Sequence, residues 1–151
     1  MKLSGLKAKK RSPCVGICST TYGDLVCRGC RRFAHEIVDW NGYTEEQKAS
    51  ILERLKRIKT EVLSQYLFIS DETKFQEFSE GIGFDLVDID EKIYAVLSYL
   101  IAKSESMEAS GLAAINASEG ISDPSELMRF IESEMYLRAQ AQYERNFKIP
   151  T

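Results

Sequence analysis

All four cysteines of the chain lie within one short stretch, spaced Cys14-x3-Cys18-x8-Cys27-x2-Cys30. Nothing else in the sequence constrains the fold as strongly. The segment from Cys14 to Cys30 is too short and too polar to build its own core, so it keeps a shape only if something crosslinks it. A disulfide framework would spread its bridges over long loops, where closing the loop has the larger entropic effect. Cysteines gathered at one end of a chain of 151 residues point instead to a reducing compartment and a thiolate metal site. Cysteines two to four positions apart can place both sulfurs on one ion, and two such pairs complete a tetrahedral shell. Gly16 and Gly29 sit inside the two pairs, where a missing Cβ lets backbone N–H groups approach the sulfurs. Spacing of this kind favours zinc, although four cysteines also suit an iron–sulfur cluster.

The rest of the composition fits a soluble globular protein, with 44% hydrophobic and 28% charged residues. No apolar run reaches the length needed to cross a bilayer. The start of the chain is basic but no apolar stretch follows, so it does not read as a secretory signal. A cytoplasmic location is the expectation.

The net charge of −3 hides an asymmetry. The first 35 residues hold Lys2, Lys7, Lys9, Lys10, Arg11, Arg28, Arg31 and Arg32 against the single acid Asp24, and the acidic excess lies entirely beyond them. Lys9, Lys10, Arg11, Arg28 and Arg31 are candidates for meeting an anion, including RNA phosphate, while part of this charge offsets the thiolates. Tyr22, between the cysteine pairs, could stack on a base.

The chain divides, on these patterns, into a basic arm (1–12), a four-cysteine module with two helices (13–66) and a helical C-terminal region (67–151). A mainly α protein is expected. Phe33, Ile37 and Trp40 fall on one face of a helix begun near Arg31. Thr44-Glu45-Glu46-Gln47 is a capping box opening a second helix with apolar positions Ile51, Leu55, Ile58, Val62 and Tyr66. Its cations Lys48, Arg54, Lys56, Arg57 and Lys59 are assigned to the other faces. Phe84 to Ile89 reads as an extended link, Ile93 to Ile101 as a helix, and Leu112 to Ile115 as a weak helix. Asp123-Pro124 starts the last one, running to about Tyr143.

The string Ser12-Pro13-Cys14-Val15-Gly16-Ile17-Cys18, then Cys27-Arg28-Gly29-Cys30-Arg31-Arg32, then Glu36-Ile37 and Trp40, resembles a widespread bacterial family of small domains of unknown function, described as predicted iron–sulfur proteins. The resemblance covers residues 12–57. It implies an iron–sulfur cluster and shifts the choice of cofactor from zinc toward the cluster. It also marks Arg32 and Glu36 as polar signature residues, which at i, i+4 could pair and anchor the metal loop. Trp40 reads as the core anchor of the module.

Other chemistries fit less well. Cys27-x2-Cys30 as a redox dithiol would need a preceding strand. His35, the sole histidine, reads as a surface residue, and few acid–base groups converge on the cysteines. A four-thiolate zinc leaves no open position for catalysis. Two functions are expected: a non-catalytic accessory module binding a protein or RNA partner, or an iron–sulfur redox or sensor protein.

Overall fold

A computed structural model describes residues 12–16, 18–83, 88–115 and 123–147. It is mainly helical. The α-helices are α1 (Ala34–Val38), α2 (Glu45–Tyr66), α3 (Glu72–Gly81), α4 (Ile89–Lys103) and α5 (Pro124–Phe147). Two short strands, β1 (Leu67–Ile69) and β2 (Leu112–Ala114), accompany them. The chain forms two compact units, one of residues 1–58 with 136–151 and the other of residues 59–135. The break near Ile58 precedes the 66/67 boundary read from the sequence, and the end of α5 sorts with the cysteines. The extended link expected at Phe84 lies mostly outside the described residues, as do Lys9, Lys10 and Arg11.

The first unit is built from the cysteine segment outward. Val26 bridges Phe33 in antiparallel sense, with Cys27 N–H donating to the Arg32 carbonyl and Ala34 N–H to the Leu25 carbonyl, both at 2.9 Å. Residues 31–33 are therefore used in pairing, and α1 starts only at Ala34, later than apolar spacing suggests. Trp40 follows in a 3-10 turn and is buried. The capping box forms as expected: Thr44 N–H donates to Gln47 Oε1 at 2.8 Å, and Gln47 N–H to Thr44 Oγ1 at 3.1 Å. Phe33 is buried, with the rings of Tyr143 and Phe147 edge-on at 5.3 and 5.4 Å. His35 is exposed, as expected. Lys48 is not on a solvated face: it is buried, its Nζ 5.7 Å from the Trp40 ring centre and 3.6 Å from Glu45.

The second unit is organised around an antiparallel ladder pairing Leu67 with Ala114, Phe68 with Ala113 and Ile69 with Leu112. Leu112 to Ala114 is thus a strand rather than the weak helix expected. Its long-range partner supplies the hydrogen bonds that a local reading assigned to a helical turn. Val96, Leu97 and Leu100 of α4 and Leu127 and Ile131 of α5 are fully buried. Asp123 caps α5, accepting the Glu126 N–H at 3.2 Å. Among the described residues no helix is long and apolar enough to cross a membrane.

Candidate metal centre

Cys27 and Cys30 occupy the turn that closes the paired segment. Arg31 N–H returns to the Cys27 carbonyl at 2.8 Å. Reversing the chain in so few residues puts Arg31 in the left-handed region, φ 65°, a conformation uncommon for a side chain of this kind. The turn points backbone donors at sulfur. Burial pushes the Cys27 thiol up, but hydrogen bonds from the backbone of Cys30, Ser19 and Gly29, and from the Cys30 side chain, outweigh it and lower the pKa to about 7. Cys30 is governed by burial, which raises its pKa despite the contact from Arg32. Gly29 supplies one of the backbone donors to Cys27. Gly16 does the same in the first pair, its N–H lying 3.3 Å from Cys14 Sγ, with φ 100°. Cys18 Sγ lies 2.7 Å from Thr20 Oγ1.

No cysteine is in a disulfide. The structure brings Cys27 and Cys30 together. Among the described residues no three His, Cys, Asp or Glu side chains gather into a ligand set, so Cys14 and Cys18 do not join that pair in one cluster. The donor chemistry nonetheless suits a soft, thiolate-binding metal: free thiols, N–H groups on sulfur, and a guanidinium beside them.

That guanidinium belongs to Arg32. It is 3% exposed, donates through Nε to Cys30 Sγ at 3.3 Å and through a terminal N–H to Ser12 Oγ at 2.9 Å, and lies 4.9 Å from the Trp40 ring centre. The expected Arg32–Glu36 pair gives way to a different arrangement. Glu36, 5% exposed, takes a bidentate contact from Arg54 at 2.6 and 2.7 Å and accepts the Phe33 N–H at 2.8 Å. Arg54 also lies over the Phe33 ring at 4.1 Å. Arg32 is committed to sulfur and Trp40, so Glu36 finds its cation one helix later. Sequence reasoning missed Arg54 as part of the site. A buried glutamate in the module signals that a cation must reach it, but not which one.

The basic residues considered for anions divide differently. Arg28 pairs with Asp24 at 3.4 Å and lies 4.4 Å from the Tyr136 ring centre. Arg31 Nε is buried without a hydrogen-bond partner among the described residues. Tyr22 is 87% exposed.

Residues 12–59 match the profile of a family described as Protein of unknown function (DUF1289). This agrees with the resemblance drawn from the cysteine, arginine, glutamate and tryptophan pattern. Comparison with curated proteins and with solved structures gives no match.

Proposed function

We propose that residues 12–59 form a thiolate metal-binding module, held by Cys14, Cys18, Cys27 and Cys30, in a protein that acts as a non-catalytic accessory to a partner. The observation that carries this reading is the Cys27–Cys30 turn, with its thiols in mutual contact, ringed by backbone donors and backed by the Arg32 guanidinium. Four thiolates repel one another unless a cation sits among them, so Cys14 and Cys18 join the other pair only when metal binds. The bound group is an iron–sulfur cluster or a zinc ion. Either supplies a crosslink within the short cysteine segment, and a cluster adds electron-carrying capacity. Gly16 and Gly29 give the sulfurs N–H contacts, Arg32 offsets thiolate charge, and Glu36 with Arg54 fixes the helix beside the turn.

The test is metal analysis and an absorption spectrum of protein prepared without oxygen from iron-replete cells. A brown protein absorbing near ~400 nm identifies the cluster. A colourless protein with one zinc per chain identifies zinc. Protein free of both metals, with its cysteines intact, contradicts the reading.

A further inference from the structure

We propose that Ser12 is a positioning residue of the metal centre, joining the two cysteine pairs through Arg32 so that Cys14 is kept within reach of Cys27 and Cys30. The inference rests on the metal reading of the four cysteines and adds how the two separate pairs are brought onto one ion. A hydroxyl oxygen has two acceptor lone pairs, and Ser12 Oγ receives two donors. One is the Cys14 backbone N–H at 3.2 Å, the other a terminal N–H of Arg32 at 2.9 Å. The same guanidinium donates through Nε to Cys30 Sγ at 3.3 Å. A chain of contacts therefore runs from the backbone of the first cysteine to the sulfur of the last. Its middle member has little freedom: Arg32 is buried and lies against the Trp40 ring, so its planar fork keeps one direction.

The first pair is tethered again on its other side. Ser19, next to Cys18, accepts the Arg28 N–H through its Oγ at 2.8 Å, and its backbone hydrogen-bonds the Cys27 sulfur. Two serines thus bracket Cys14 and Cys18, and each is bonded to the turn that carries the other pair. Cys27 and Cys30 are buried, whereas Cys14 is exposed and Cys18 half-buried. The second pair is fixed by the fold, and the first has to be delivered to it. A segment tied at both ends loses less conformational freedom on closing over an ion than one tied at a single end. Removing the Ser12 hydroxyl takes the acceptor from Cys14 and leaves a buried guanidinium N–H without one. One substitution at an exposed position therefore loosens both pairs, and it changes no charge.

The test uses the full chain, reduced, stripped of metal and titrated with Co²⁺ in the absence of oxygen. Thiolate-to-cobalt absorption reports sulfur ligation directly. Ser12→Ala should bind Co²⁺ about 10–100-fold more weakly than the wild type. Ser12→Thr, which keeps the hydroxyl, should restore the affinity, a recovery that a general loss of packing does not give. Arg32→Lys keeps the charge but not the fork, so it should weaken binding too, and adding Ser12→Ala to it should cost little more. Equal affinity of Ser12→Ala and the wild type, no recovery with Ser12→Thr, or a full further loss in the double variant would overturn the proposal. A wild-type chain without thiolate-to-cobalt absorption sinks the metal reading and this inference with it. Wild-type binding that Ser12→Ala leaves unmoved sinks this inference alone.

Discussion

Single residues carry the sharpest consequences. Gly111 has φ +81°, and an added Cβ would lie 2.6 Å from the Asp71 carbonyl oxygen and 2.8 Å from the Phe75 nitrogen. Both are backbone atoms and cannot swing away. Gly111→Ala should cost about 2–3 kcal/mol or more, from the left-handed strain and the clash together, and a urea titration will read it. The Glu36–Arg54 pair is sensitive in a different way. Arg54→Met leaves the Glu36 carboxylate buried without its cation, which should cost about 3–5 kcal/mol. Glu36→Gln keeps an acceptor for the Phe33 N–H and should cost less than Arg54→Met. The reverse ranking in denaturant melts would show that the unpaired Arg54 guanidinium costs more than the unpaired Glu36 carboxylate.

Elements formed where local signals were complete and departed from expectation where the partner was distant. The Thr44–Gln47 box and the Asp123 cap are written in adjacent residues, and both close as expected. Thr44→Ala should therefore lower stability by about 1 kcal/mol, measurable as a shift in the thermal midpoint; no shift would mean that α2 is held by packing alone. The strands were not legible. Leu67 to Ile69 open a region read only as helical, with no strand signal singled out, and Ala113-Ala114 in β2 favour helix by propensity. Only the ladder between segments more than forty positions apart makes them strands. The cysteine turn was half legible. Spacing and Gly29 announced the Cys27–Cys30 pair, whereas the Arg54 contact depends on how α2 lies against Phe33, which no motif encodes. Arg32 contacts Cys30 rather than the Glu36 expected as its partner, because i, i+4 spacing presumes a helix that begins only at Ala34.

Across the molecule, the metal-module proposal predicts that the two units differ in what stabilises them. The unit of residues 59–135 has an apolar core of its own, and Leu97 within it is fully buried. Leu97→Ala should cost about 2–5 kcal/mol. The cysteine segment, by contrast, would draw its stability from the metal proposed above. Removing metal with a chelator should speed hydrogen exchange at the amides of Cys27 and Ala34, whose hydrogen bonds close the paired segment, and leave those of Val96 to Leu100 protected. Uniform acceleration across both units would count against separate sources of stability. The most direct measurement of the central claim is native mass spectrometry of anaerobically prepared protein, compared with Cys27→Ser. The account predicts the mass of one zinc ion or one iron–sulfur cluster per chain, with thiol protons lost, and no such addition in the variant. A bare chain, or one lighter by the hydrogens of cystine formation, would contradict it.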